Sequence, residues 1–191
     1  MLSGPSTCSR IALLLALGWL WPAFLFSASA ESETALDLPR WRDFHSEEGR
    51  FRVRLPAAPR IERSAHGTAM GSVTEVSFRA GWADREVAVV YEDIPAAARW
   101  LVPTGVILSR AAASLVEDAG ARELDSRESN WRGHPARELR YELPGPPALQ
   151  ARVLLVLVEA RLYLLTARWP REEASPPELE RFRASFQVEA P

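Results

Sequence analysis

The sequence predicts an α+β fold, an antiparallel sheet sandwiched by helices, and three observations predict it. From Val153 to Val158 every residue is apolar. Successive strand residues point to opposite faces, so such a run needs cover on both sides and belongs in the middle of a sheet. Strand-like runs also come in groups separated by single helical stretches, with little room for parallel crossovers. Two amphipathic helices, one over residues 104–119 and one beginning after Ser175, supply an apolar stripe for each face.

The elements follow in order. Residues 31–40 read as a loose polar leader. Trp41-Arg42-Asp43-Phe44-His45 then alternates as a short first strand, stopped by Ser46-Glu47-Glu48-Gly49. Arg50-Phe51-Arg52-Val53-Arg54-Leu55-Pro56 is the cleanest period-two segment, with Phe51, Val53 and Leu55 on one face and the arginines on the other. Pro56 and Pro59 end it, because proline cannot donate to a ladder. Residues 68–80 carry Thr74, Val76 and Phe78 on one parity, and residues 85–93 carry Val87, Val89 and Tyr91. The two are expected to form a hairpin with a four-residue loop, Gly81-Trp82-Ala83-Asp84, and His66-Gly67-Thr68 read as the start of its first strand. Residues 94–103 are expected to hold one helical turn, packed down by Trp100 and Leu101.

In the first long helix, Ile107, Ala111, Leu115 and Ala119 recur every four residues, and Leu108, Ala112 and Val116 widen the stripe. Thr104 is placed to cap its start and Gly120 stands just past its end. Glu117 and Asp118 in its last turn oppose the helix dipole by about 0.3–1 kcal/mol, less than packing of the stripe contributes. Residues 122–131 are dense in charge and fit an edge strand. Arg132-Gly133-His134-Pro135 turns the chain into a strand with Leu139, Tyr141 and Leu143 facing inward. After the Pro144–Pro147 loop comes the apolar run, joined through Glu159-Ala160 to a second β-rich run, Arg161–Trp169, as a hairpin. Ser175-Pro176-Pro177-Glu178 matches a capping box, with Ser175 as N-cap and Pro176 as the first helical residue. Phe182 and Phe186 then cover one face of the central hairpin.

Length and composition bound the rest. A chain of 191 residues with 47% hydrophobic content fits one domain, placed here over 41–188. All 23 basic residues are arginine. Without lysine there is no Schiff-base lysine and no P-loop lysine. Arg10, the apolar run from Ile11 to Phe26 and Ala28-Ser29-Ala30 read as a signal peptide over residues 1–30, cleaved near Ala30. Kept as an anchor, that apolar run falls short of the roughly 20 residues that span a bilayer. The single cysteine, Cys8, leaves with it, so the mature chain has neither a disulfide nor a cysteine metal ligand. The 23 arginines less Arg10 leave 22 against 25 acids, interleaved as in Arg122-Glu123 and Arg127-Glu128, with no basic stripe for nucleic acid.

Motifs that specify a chemistry are missing. His45, His66 and His134 stand far apart, with no pair at metal-ligand spacing. There is no Gly-x-Ser-x-Gly elbow, no His-Glu-x-x-His and no Gly-x-Gly-x-x-Gly. Asp43 with Glu47 or Glu48, and Glu92 with Asp93, read as solvated acids; neighbours in a strand point to opposite faces and cannot share a site. Arg50, Arg52 and Arg54 form the best-defined polar face. They suit an anion clamp, or pair with acids across the ladder as the wet side of an amphipathic strand. Five of the seven tryptophans, Trp41, Trp82, Trp100, Trp131 and Trp169, lie beyond the signal peptide, mostly at element ends where they cap a core.

Gly49 to Pro56, a mid-chain helix before a strand pair turning at Gly133, then Arg161-Leu162-Tyr163-Leu164-Leu165 and Ser185-Phe186 resemble the PsbP-like superfamily. That superfamily holds extrinsic photosystem proteins and many small secreted bacterial proteins with no assigned activity. The resemblance spans most of residues 41–188. It implies a three-layer α/β/α sandwich used as a binding or assembly module; the photosynthetic role is not carried over, since no residue here points to it. The resulting expectation is a secreted or periplasmic non-enzymatic module with a protein or cell-envelope partner. Nucleic acid is not expected as a partner, nor membrane contact except through an uncleaved signal segment. No residue is assigned as catalytic, cofactor-binding or metal-ligating, and no cofactor is expected. The alternative is a small hydrolase or other enzyme using His134 or His66 with a convergent carboxylate.

Overall fold

Strands β8 (Leu149–Val158) and β9 (Arg161–Pro170) form the expected central hairpin, in register from Leu149 opposite Pro170 to Val158 opposite Arg161. Glu159 takes φ 53, which closes the tight turn without an Asn-Gly pair. The computed structural model describes residues 39–68 and 71–189. They belong to the second of two units, Ala35–Pro191; the expected signal segment and the leader up to Leu38 lie outside the described residues.

Around that hairpin run β3 (Arg60–Thr68), β4 (Gly71–Trp82), β5 (Arg85–Asp93), β6 (Arg122–Trp131) and β7 (His134–Leu143). The seven strands lie in the order β3-β4-β5-β9-β8-β7-β6, and every pairing is antiparallel. Val153 to Val156 are 0–1% exposed, so the doubly apolar run is an interior strand, as its composition demands. β6 is an edge, as its charge suggests. It turns into β7 through Arg132 (φ 51) and Gly133 (φ 88), both in the left-handed region that favours glycine.

The two faces are covered differently. Helix α2 (Thr104–Asp118) lies across β6, β7 and β8 on one face. The other face is closed by helix α3 (Pro177–Ser185) together with a small antiparallel sheet of β1 (Arg42–Ser46), β2 (Phe51–Leu55) and β10 (Gln187–Val188). The helical sandwich therefore needs correcting: three layers are present, but one outer layer is mostly sheet. The period-two strand β2 supplies Phe51, Val53 and Leu55, all 0–2% exposed, to that side of the core.

Other expectations change too. β3 lies where no element was expected after Pro59, and His66-Gly67-Thr68 end it rather than start β4; apart from Ile61 it carries little apolar signal because it is an edge, where charge is tolerated and pairing with β4 alone holds it. The β4–β5 turn is two residues, Ala83-Asp84, since Gly81 and Trp82 remain in the ladder. Thr104 and Ser175 are not caps. α2 starts from Pro103, whose carbonyl accepts from Val106 N–H at 2.9 Å and Ile107 N–H at 3.1 Å. In α3, Pro177 forces Pro176 into an extended conformation (ψ 137), so the helix begins one residue late for Ser175 to reach. At the other end of α2, Gly120 (φ 55) donates to the Glu117 carbonyl and Ala121 to the Val116 carbonyl, both at 2.9 Å, a Schellman closure. The turn after Pro95 is a short helix, α1 (Ala96–Leu101), but Trp100 and Leu101 are 89% and 75% exposed and do not pack it down. Among the described residues no helix is long and apolar enough to cross a membrane.

Candidate binding groove

Helix α2 meets the sheet through Leu108 and Ala112, both buried. Ile107, Ala111 and Leu115 flank that contact line and are only half-buried, because they turn toward β9, β5 and β4, where no helix lies across the sheet. The space between is a groove of about 710 Å³. Val73, Leu162 and Leu164 line it from the strands, all 8% exposed or less. The α1 segment closes one end with Ile94, Pro95, Ala98 and Val102, tied down where Ile94 N–H donates to the Ala160 carbonyl at 2.6 Å. A volume in this range and mostly apolar walls with a few polar groups are the usual make-up of a ligand site.

The polar members of the groove are Glu75, Glu92, Asp118, Arg110 and Ser114. Glu75 and Glu92 stand directly opposite each other in the β4–β5 register. Asp118 accepts a hydrogen bond from Ser114 Oγ at 3.2 Å. Neither Glu75 nor Arg110 has an ion-pair partner among the described residues. Among the residues whose side chains are described, no histidine, cysteine or tyrosine lines the groove, and Ser114 supplies its hydroxyl.

No family profile and no curated protein sequence matches the chain. Among solved structures it is similar to cyanobacterial PsbP (CyanoP) from Synechocystis sp., at a TM-score of 0.53 and 13% identity, over 79% of this chain and 94% of that one. The fold is PsbP-like. A looser likeness, to a protein of unknown function from Pseudomonas aeruginosa, has a TM-score of 0.39 and 17% identity, over 70% of this chain and 85% of that one. At such identities the PsbP-like match fixes the arrangement of strands and helices and carries no side-chain role across.

Within this PsbP-like frame the residues singled out from the sequence do not converge. Arg50, Arg52 and Arg54 are each set beside an acid: Arg50 with Glu159 at 3.7 Å, Arg52 with Glu189 at 2.5 Å and Arg54 with Asp43 at 3.5 Å. The face is a set of ion pairs rather than an open clamp. His45 Nε2 lies 2.8 Å from Glu189 Oε2; hydrogen bonds from His45 and Arg52 hold that carboxyl below the usual range. His134 sits half-buried at the start of β7, and His66 is in β3. Among the described residues no group of three or more His, Cys, Asp or Glu side chains could hold a metal ion. Glu92 and Asp93 do point to opposite faces, Glu92 into the groove and Asp93 to Arg161.

The most connected titratable cluster belongs to the other face. Arg161, 9% exposed, donates to both Asp93 oxygens at 2.7 and 2.8 Å and to the Glu48 carbonyl at 2.6 Å. Its hydrogen bonds hold the Asp93 carboxyl below the usual range. The guanidinium lies 4.4 Å from the Tyr91 ring centroid. Burial pushes the Tyr91 phenol up to about 12, and the nearby Glu48 carboxylate adds to it without meeting hydrogen-bond geometry. Tyr163 OH donates to the Gly49 carbonyl at 2.9 Å. Together these groups fasten the β1–β2 turn onto the large sheet, a structural duty.

Sequence reading missed the groove, although one signal for it was present. The stripe on α2 is wider than a single contact line needs, with Ile107, Ala111 and Leu115 running beside Leu108 and Ala112. A doubled stripe marks a helix that faces two surfaces.

Proposed function

We propose that this chain is an exported, non-enzymatic binding module that takes an apolar part of its partner into the groove between α1, α2 and strands β4, β5 and β9. The observation that carries the reading is the groove itself: about 710 Å³ walled by Val73, Leu162, Leu164, Ile107 and Leu115, on the one part of the sheet where α2 does not lie. The partner is a protein or cell-envelope component, reached after cleavage near Ala30. The non-enzymatic reading draws its support from the described lining of the groove, where no nucleophile is paired with a histidine. Among the described residues, the His–carboxylate pair of His45 with Glu189 is exposed on the small sheet and already shared with Arg52.

The test is a titration of the full-length purified chain with Nile red, a neutral apolar dye. Binding is expected, to be lost in Ala111→Trp, which fills the groove, or in the milder Ser114→Trp, and kept in Arg52→Glu on the far face. Dye binding unaffected by both groove variants would overturn the reading.

A further inference from the structure

We propose that the corner where α1 turns into α2 is a membrane-surface contact, seating Trp100 and Leu101 in the headgroup region of a bilayer that holds anionic lipid. This goes beyond the groove and does not depend on it. Trp100, Leu101 and Val106 are 89%, 75% and 38% exposed, and among the described residues Ile61 is the one other large apolar side chain that stands in solvent. Apolar side chains gathered at one exposed place mark an interaction surface. The corner is also held in shape. Pro95 and Pro103 bracket α1, and Val102 N–H donates to the Ala98 carbonyl at 2.9 Å. Ala98 and Val102 look into the groove. Trp100 is two residues from each, just over half a helical turn, so it points the other way, out of the molecule.

Charge and composition choose the occupant. Residues 94–116 contain no acid, the longest such run beyond residue 30, and carry Arg99 and Arg110. Both arginines are exposed, Arg99 beside Trp100 and Arg110 one turn from Val106 on the same face of α2. Glu128, the acid beside Gly105, is set against Arg137 at 3.6 Å. Glu75, Glu92 and Asp118 line the groove, on the side of α1 that Trp100 faces away from. An anionic lipid surface attracts a basic corner of this kind. A protein interface, by contrast, carries a polar rim and about ten hydrogen bonds. In residues 94–103 only Arg99 and the Trp100 indole can supply a side-chain hydrogen bond. Tryptophan and leucine with arginine beside them are the make-up of an interfacial anchor, which needs no shaped pocket. Sequence reading allowed membrane contact only through an uncleaved signal segment; this corner is a second route.

The purified full-length chain is oxidised by hydroxyl radicals, alone, with vesicles of phosphatidylcholine, or with vesicles of phosphatidylcholine and phosphatidylglycerol in equal parts. Mass spectrometry of its peptides then reads each residue, with the exposed Ile61 of β3 as internal control. Anionic vesicles are expected to slow Trp100 oxidation at least about fivefold relative to Ile61, and neutral vesicles clearly less. Arg99→Glu is expected to remove most of that protection, and in Trp100→Ser the protection of Leu101 is expected to fall. Ala111→Trp, which fills the groove, is expected to leave Trp100 protected while Nile red binding is lost, so this inference and the groove reading fail separately. Trp100 oxidised equally fast with and without anionic vesicles overturns the proposal. Equal protection of Trp100 and Ile61 overturns it too, since that is adsorption of the whole chain. Equal protection by neutral and anionic vesicles overturns the choice of an anionic surface.

Discussion

One face of the seven-stranded sheet is sealed and the other is only partly roofed. On the sealed face Phe51 packs on Phe78 at 5.2 Å and Phe186 at 5.8 Å, and Phe186 reaches Tyr163 at 5.5 Å. The small sheet and α3 close over this aromatic layer, and Arg161 fastens its turn. On the other face a single helix rests on β6, β7 and β8, and a groove remains beside it. Stability and recognition are thereby divided between the faces: side chains of the sealed face have no freedom to serve a partner, and those of the open face are not all needed to hold the fold.

Mutations at the two faces are the way to break this division. The largest effect is expected for Phe182→Ala, at 1% exposure on the sealed side: about 3–5 kcal/mol of stability by denaturant unfolding. A loss below about 1 kcal/mol would mean that α3 is dispensable and the face not sealed. Gly49→Ala follows, at about 1–3 kcal/mol. An added Cβ there would lie 2.6 Å from a Phe51 ring carbon and 2.8 Å from Ser46 Oγ, inside the turn that fastens the small sheet.

A smaller effect depends on pH. Burial works against the Glu138 charge, but hydrogen bonds from Arg127 (2.5 Å) and Arg183 outweigh it, holding the carboxyl below its ordinary 4.5. A lowered folded-state value means the pairs add stability that is complete above about 4.5 and lost as pH falls through the folded value. Thermal melts of wild type and Glu138→Gln should therefore differ near neutrality and converge in acid; parallel curves would remove Glu138 from the ties between α3 and the sheet. The smallest effect is expected for Trp100→Ser on the open side, within about 0.5 kcal/mol. A cost above 1 kcal/mol would make α1 part of the core and blur the contrast that the two faces draw.

How much was legible before coordinates can be argued from single elements. The run Val153–Val158 announced its burial because apolar residues on both parities allow no other placement, and all of it but the half-buried Val158 is buried. Phe51, Val53 and Leu55 announced one wet face, and the arginines between them turned out to be neutralised by Glu159, Glu189 and Asp43, partners 109, 137 and 11 residues away in the chain. β3 and β10 were illegible, since an edge strand and a two-residue strand are held by pairing and carry little periodic signal. The caps were misplaced because Thr104 and Ser175 satisfy a composition rule, whereas Pro103 and Pro177 fix the backbone.

The sequence by itself determined the antiparallel α+β class, the central hairpin and the two main helices, because periodicity and turn residues are local and each acts within a few positions. Only the tertiary structure decided that a small sheet shares one outer layer with α3, that α2 leaves strands β4, β5 and β9 beside a groove, and that Glu75 faces Glu92 across its wall. Those outcomes depend on which distant strands pair and where a helix comes to rest, and packing between segments far apart in the chain leaves no periodic trace in either one.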